Sequence, residues 1–460
     1  MREVGGSAGR GAYFGRDWTK GSIARNLLSL SWPMIVSNSL NMAGPTIDMI
    51  WVGRLGPASI AGVGVAGIAV MLVMSAMMGL FMGLRAMVAR FIGAGDITGA
   101  NHVSGQAFIV SAVFAIVMAS VGIFLAESIL VLLGLEPDVV AEGTVYMRIM
   151  FVGVVIMAFR MVAEGIMQAS GDAVTPMRIA ILFRFFHVAL CPFLIFGWWI
   201  FPRLGVSGAA VTNVISQSLG LALGLWVLFS GRTRLHLTLR NFRIDLDIIW
   251  RMVKIGIPGS VTGIIRPFGQ LIFMRIIISF GTLAVAAHTL CQRVEMILFM
   301  PSMALGMAAG VLAGQNLGAG QPERAEKSGW LAAGLVEGVM LIGSAAILLW
   351  SGSIVGIFSP EPGLVGLTST FLKIAIAGYL VMGFAAVLGQ CLMGVGDTLP
   401  PMLVSLVIMW VVQIPLAYFL PKVTDLGVYG VRWAMVAGIF VGAVTFTTYF
   451  RLGRWKRKKV

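Results

Sequence analysis

The sequence predicts an all-α membrane protein with twelve transmembrane helices in two pseudo-symmetric six-helix bundles. Three observations carry the prediction: an apolar composition, twelve apolar runs of spanning length, and an internal repeat. Of the 460 residues, 58% are hydrophobic and 11% are charged, with a mean hydropathy of +0.94. Soluble domains carry roughly 25% charged residues, so an ordinary soluble fold is excluded. A ~30 Å hydrocarbon core needs about 20 apolar residues in helical form. Runs of that length fall at 27–52, 58–84, 103–126, 145–169, 176–199, 206–229, 250–279, 283–312, 329–351, 366–393, 399–420 and 428–450. They are continuous rather than alternating. Backbone groups in lipid must then find their partners within the segment, which selects helices over a barrel.

The repeat appears on adding 225 to first-half positions. Pro33 maps to Pro258, Gly56 to Gly281, Ala61 to Ala286 and Met82 to Met307. "GAG" at 93–95 recurs at 318–320, and "GDAVTPM" at 171–177 becomes "GDTLPPM" at 396–402. "LGVSG" at 204–208 matches "LGVYG" at 426–430 with the offset shortened to 222. Six spans per half is an even number, so both halves start on one side of the membrane. Their pseudo-two-fold axis therefore runs along the membrane normal, as in transporters built from parallel repeats, which bind substrate between their lobes. The organisation read from this is a disordered arm (1–26), an N-terminal lobe (27–229), a connector (230–249), a C-terminal lobe (250–450) and a basic tail (451–460).

The net charge of +14 would suggest nucleic acid in a soluble protein, but the basic residues sit in alternate loops. Twenty-one Lys and Arg fall on the side holding the N-terminal arm, Arg90, Arg178, the 230–254 region, Arg324, Lys327 and the tail "RLGRWKRKKV". The other side has Arg54, Arg203 and Lys422. By the positive-inside rule both termini and the connector are expected in the cytoplasm, in a multi-pass protein of the plasma membrane. The tail reads as a topology and lipid-surface signal, with no nucleic-acid partner expected. The N-terminal stretch lacks the apolar region of a cleavable signal. Cys191, Cys291 and Cys391 all lie inside spans, so neither a disulfide framework nor a CxxC metal pattern is read, and no metal or cofactor is expected.

Structural residues should recur in both halves, whereas chemistry need not. Asp48, within "TIDMIWVGRLG", maps to Phe273 and belongs to the first lobe alone. An Asp near a helix centre costs about 2.5–3.5 kcal/mol on insertion scales, and such residues face a bundle interior or a water cavity. Burial away from cations disfavours the charged form, which makes Asp48 a candidate proton-coupling site; a structural acid paired to a basic neighbour is the alternative. Pro33 and Pro45 flank it on the same span, each removing a backbone hydrogen bond and permitting a bend. Pro45 maps to Gln270, so it too is specific to this lobe. On span 5, His187 and Cys191 lie one turn apart near Arg184; His187 is a candidate proton relay, histidine being a residue type suited to that role, and a hydrogen-bonded structural histidine is the alternative. Arg266, Arg275, His288, Arg293, Glu295 and Lys373 are the intramembrane charges read in the second lobe. Pairing of Glu295 with an arginine of span 7 or 8 is expected, with substrate contact as the alternative. Asn41, Arg184, Arg266, Gln270 and Glu295 are candidates for lining the substrate cavity, and the 29 Met residues could give an adaptable surface.

Several stretches resemble the multidrug and toxic compound extrusion (MATE) transporters: "SWPMIVSNSLNMAGPTIDMIWVGRLGPASIAGVG", "ARFIGAGD", "GDAVTPM", "AAHTLCQRVEMILFMPSMALGMAAGVLAGQNLGAGQPERA" and "GVGDTLPPM". They cover both lobes, and the second-lobe pattern with Arg275 and Glu295 looks like the DinF-like branch. The resemblance implies a MATE-like fold and a secondary antiporter exporting mostly cationic, amphipathic compounds in exchange for H+ or Na+. It also makes Asp48 the first-helix coupling acid and Pro33 its bending proline. The family commonly carries Asn and Asp one turn apart on span 5, where this chain has His187 and Cys191; Thr212 and Asn213 occupy the region of its remaining polar ligand. A thiol is a poor partner for a hard cation, which favours protons over Na+. The expected function is multidrug efflux by alternating access coupled to protons at Asp48, in a monomer whose partners are small organic substrates and lipids. A flippase for lipid-linked or anionic amphipathic substrates, or a Na+-coupled exporter, is the alternative. No HExxH or Walker A pattern is present, so neither an enzyme nor direct use of ATP is expected.

Overall fold

The computed structural model describes residues 16–132 and 137–458. Positions 1–15 of the expected disordered arm, and 459–460 of the tail, lie outside that range. Twelve helices make up the described chain: α1 (Ile23–Val52), α2 (Pro57–Gly93), α3 (Ile97–Leu132), α4 (Pro137–Ala169), α5 (Val174–Phe196), α6 (Val206–Phe229), α7 (Leu246–Ile278), α8 (Thr282–Gly318), α9 (Pro322–Gly356), α10 (Pro362–Gly394), α11 (Leu399–Val423) and α12 (Val428–Leu452). Eleven of them are long and apolar enough to cross a membrane. The exception is α1, whose run of apolar residues is broken by Asn26, Ser31, Ser37, Asn38, Asn41 and Asp48.

The repeat is visible in the helix starts. Helices α2, α3, α4 and α5 begin at 57, 97, 137 and 174, and α8, α9, α10 and α11 begin 225 residues later, at 282, 322, 362 and 399. The repeated "GD" turns explain one matched pair: Gly171 and Gly396 stand at φ +95° and +91°, a conformation that costs any residue with a Cβ. Span 5 is shorter than its apolar run. Gly197 at φ +72° closes α5 as a left-handed cap, leaving Trp198 and Trp199 outside the helix. Helix α11 carries π-helical turns over Val407–Gln413.

The two leading helices are exchanged between the lobes. Leu27, Leu30 and Met34 of α1 belong to a core otherwise built mainly from α8, α9, α10 and α12, while Val52 at the far end packs with α2, α4, α5 and α6. Reciprocally, Met252 and Ile255 of α7 join the first-lobe core, and Phe273 and Ile277 join α11 and α12. Each leading helix thus spans both bodies, so bending one must alter how the lobes meet.

On the end carrying both termini the lobes are pressed together. The Ser260 hydroxyl donates to Ala76 O at 2.5 Å, and a Cβ added at Gly79 would stand 1.9 Å from Ser260 N. Arg90 Nη2 donates to Val395 O at 3.2 Å, and Gln315 Nε2 donates to Ala169 O at 2.8 Å. The donors 90 and 315 differ by the repeat offset and the acceptors 169 and 395 by one residue more, so these two cross-lobe bonds are near-equivalents under the pseudo-symmetry.

The described part of the arm is ordered, in contrast to the expectation. Helix α1 starts at Ile23, and Trp18 is only 2% exposed, packed on the glycine turn at 171. Asn26 Nδ2 donates to the Trp18 and Lys20 carbonyls, and Arg324 Nη2 holds Gly21 O at 2.7 Å. The tail docks likewise: Trp455 is fully buried and stacked on Phe450, and Lys456 pairs with Glu326 at 2.5 Å. The connector is tied to the first lobe by Gln106, which donates to Asn241 O and Arg243 O at 3.1 and 2.7 Å. Asp245 caps α7 by accepting from the amides of Asp247 and Ile248. The Ile248 amide, with His102 and the Asp247 amide adding to it, holds that carboxyl below the usual carboxylate range.

Candidate functional site

Helices α1 and α5 form the site where they cross in the first lobe. Asp48 is 2% exposed, and His187 and Cys191 are fully buried. His187 Nε2 lies 3.0 Å from Asp48 Oδ1, although its N–H is not aligned on that oxygen, so the attraction is electrostatic more than a directed hydrogen bond. The Cys191 thiol approaches the same oxygen at 3.8 Å. The three predicted coupling residues are therefore brought together.

Behind His187 stands Arg184, with Nη1 3.1 Å from His187 Nδ1. A guanidinium has no acceptor, so Nδ1 must accept and Nε2 must carry the ring proton. That assignment decides between two uses of the cluster. The ligand atoms of Asp48, His187 and Cys191 all lie within 4.8 Å of one another, compact enough for a metal ion. Yet a ring held in this tautomer carries a proton, not a lone pair, on the nitrogen nearest Asp48. The arrangement suits proton exchange better than metal binding.

Arg184 also reaches the proline turn of α1. Its Nη2 donates to Asn41 O at 3.4 Å. Asn41 is four residues before Pro45, so its carbonyl is the one that proline leaves without a helical N–H. Gly44 makes room for the guanidinium, since a Cβ there would meet Nη1 at 2.4 Å. Arg160 Nη2 adds a 3.4 Å contact to the Asn41 side-chain oxygen, and Arg160 is itself paired to Glu164 at 2.8 Å. Phe183 offers its face to both guanidinium groups at 4.9 and 5.3 Å. Pro33 is buried in the half of α1 that packs on the second lobe, and Pro45 is exposed.

Two further expected ligands are not drawn into the contacts around Asp48. Thr212 is buried but donates to Gly208 O of its own helix at 2.7 Å, and Asn213 is buried with Oδ1 unpartnered among the described residues. The Arg160–Glu164 pair went unread in the sequence. Its (i, i+4) spacing in "FRMVAEG" was the available signal, because residues so spaced share a helix face.

In the second lobe the expected partner of Glu295 is corrected. Glu295 pairs with Arg432 of α12, not with an arginine of α7 or α8. Tyr379 donates to Glu295 at 3.1 Å, Arg432 Nη2 donates to Cys291 Sγ at 2.9 Å, and His288 Nδ1 is 3.5 Å from Arg432 Nη1. Arg275, Arg293, Lys373 and Gln270 are exposed. Arg266 is open to a cavity between α7, α10, α11 and α12.

The MatE family model matches residues 33–193 and again residues 258–419. The two matches start at Pro33 and Pro258, which are the repeat offset apart. The chain is 26% identical over 453 residues to the probable multidrug resistance protein YoeA of Bacillus subtilis, covering 96% of each. It is 24% identical to the probable multidrug resistance protein NorM of Thermotoga maritima, covering 95% of this chain and 94% of that one. Among solved structures, a MATE protein in the bent conformation superposes with a TM-score of 0.89 at 24% identity, over 95% of this chain and 96% of that one. An outward-facing multidrug resistance MATE family transporter gives 0.88 at 25% identity, over 95% and 96%. A protein of the MOP superfamily from Pyrococcus furiosus, described by the reverse polarity of its binding pocket, gives 0.88 at 24%, over 96% and 98%. The twelve-helix duplicated architecture and a family match in both halves lead to one assignment: this chain belongs to the MATE family of multi-pass membrane transporters.

Proposed function

We propose that the protein is a proton-coupled antiporter that exports amphipathic organic compounds by alternating access, with Asp48 as the group that binds and releases the proton. The observation that carries the reading is the environment of Asp48. It is buried three residues after Pro45, its nearest basic contact is a neutral-capable histidine, and no arginine is within ion-pair distance of it among the described residues. An acid locked to a guanidinium would stay ionised throughout; an acid facing an imidazole can exchange its proton.

The coupling route follows the contacts. Ionised Asp48 attracts the His187 N–H, which orients Nδ1 towards Arg184, which in turn fills the carbonyl left open by Pro45. Protonation of Asp48 removes the attraction that holds this chain of contacts in place. The Asn41 carbonyl then loses its donor and α1 changes its bend. Because α1 is shared between the two lobes, that change biases how they close. Substrate and proton would compete for the same lobe arrangement, which is the requirement for exchange. The lysine and arginine distribution supports a cytoplasmic location for the face carrying the termini, in the plasma membrane. The lobes meet on that face, so the structure would be the outward-facing state.

The cationic substrates implied by the resemblance would rest on aromatic and methionine surfaces. A second reading, transport of anionic amphipathic molecules, is favoured by two arginines that make no ion pair among the described residues: Arg85 is 3% exposed with both Nη atoms lacking a hydrogen-bond partner, and Arg266 faces a cavity. Transport by purified protein in vesicles with imposed gradients tests the main proposal. Flux should follow a pH gradient at constant Na+; flux that follows Na+ and ignores pH would overturn proton coupling.

A further inference from the structure

The cavity in the second lobe has a volume of about 150 Å³ and is lined by Arg266, Met382, Ser405, Met409, Gln413 and Phe446, among others. Arg266 makes no hydrogen bond or ion pair among the described residues. Its side chain is exposed to the cavity, and no carboxylate lies within ion-pair distance of it among the described residues. A guanidinium deep in a membrane protein is costly and ordinarily paired, or else it marks a substrate path. Of the acids in this lobe, Glu295 is already held by Arg432 and Tyr379, and Glu337 accepts from the Gly383 amide.

The space beside Arg266 is made by the backbone as well as by side chains. Gly438, Gly442, Ala385 and Ala386 leave it open on two walls. The third wall is the π-helical stretch Val407–Gln413, which presents Ile408, Met409 and Gln413. Such turns insert extra backbone into a helix and occur frequently at functional sites. An apolar cavity of about this size accepts a single benzene-sized ring. The guanidinium offers a planar pair of donors matched to a carboxylate or sulfonate, and methionines supply a deformable apolar wall.

We propose that this cavity is a binding site for aryl acids, in which Arg266 holds the anionic head and the ring lies against Met382, Met409 and Phe446. It rests on the reading of the protein as an exporter of amphipathic molecules and adds a charge class and a location to it. The site lies in the lobe opposite Asp48, so occupancy does not require the coupling acid itself. An uncompensated cation in the wall disfavours a cationic head at this position by the same electrostatics that attract an anion.

The test uses the full-length protein in nanodiscs of zwitterionic lipid, with p-toluenesulfonate and phenyltrimethylammonium as matched probes of opposite charge, corrected for binding to protein-free discs. Saturable binding of the sulfonate is expected, at least tenfold tighter than the ammonium. Arg266→Gln should weaken it at least tenfold and Arg266→Lys far less, while Met382→Trp should abolish it by filling the cavity with Arg266 still present. Asp48→Asn should leave it intact. The proposal is overturned by preference for the ammonium, by the absence of saturable sulfonate binding, or by sulfonate binding that survives either Arg266→Gln or Met382→Trp. Binding that behaves as expected in a protein whose flux ignores pH would sink the coupling scheme and leave this site standing.

Discussion

Arg184 Nη2 stands 3.4 Å from Asn41 O, the acceptor that Pro45 leaves unpaired in α1. This contact joins two features of the first helix, the carbonyl freed by Pro45 and the acid. Arg184 touches His187 on one side and that carbonyl on the other, so it is placed to convert the charge state of Asp48 into a shape of α1. Arg184→Gln is therefore expected to reduce coupled flux by at least about tenfold, equivalent to ~1.4 kcal/mol of lost coupling, while substrate binding in the absence of a gradient stays within about threefold. Retained coupled flux in that variant would show that the guanidinium is only structural.

Gly44→Ala tests the same contact from the other side. The new Cβ would meet Arg184 Nη1 at 2.4 Å, so the guanidinium must leave the carbonyl. The side chain is flexible, and the folding cost should be about 1 kcal/mol, at the low end for an added methyl group. Coupled flux should fall as it does in Arg184→Gln, and combining the two changes should add little, because both break one contact.

Glu295 and Arg432 form a buried pair supported by Tyr379 and Cys291. Removing one member leaves an uncompensated charge, which typically costs about 3–5 kcal/mol. Glu295→Ala should lower the thermal midpoint markedly. Glu295→Ala combined with Arg432→Met should recover much of the loss, since no buried charge is left behind. A midpoint unchanged in Glu295→Ala would mean the pair is not buried in the folded protein.

Gly79 is packed against the backbone of α7, where a Cβ would stand 1.9 Å from Ser260 N and 2.4 Å from Gly256 O. Neither atom can move alone, so Gly79→Ala should prevent the lobes from closing on the face carrying the termini. Spin labels on the exposed positions Asp96 and Glu323 should report a distance longer by several ångström, on the order of one side-chain layer. An unchanged distance would place the closing contact elsewhere.

Much of this architecture was legible because it is written in long, local patterns. Twelve apolar runs gave twelve helices, and the 225-residue offset reappears both in the helix starts and in the two family matches. Asp48, His187 and Cys191 meet because α1 and α5 cross there, and they are legible in sequence as an acid carried by one lobe alone and a His–Cys pair one turn apart. Pairings between distant elements were not legible. The partner of Glu295 lies 137 positions away on α12, and nothing in the local sequence of either residue points to the other. The exchange of α1 and α7 between lobes was hidden for a related reason: both halves of each helix are apolar, and composition does not say which body each half joins. The order at Trp18 was missed because its glycine-rich, basic surroundings read as a solvated arm, whereas the tryptophan is held by the turn at Gly171, 153 residues further on.

The most direct test of the central claim is proton release on adding a transported substrate to the purified protein in weakly buffered solution. If Asp48 is the exchanging group, substrate binding should release about one proton per protein, and Asp48→Asn should bind the substrate without releasing any. Substrate binding with no proton release in the unaltered protein, or equal release from Asp48→Asn, would contradict the account.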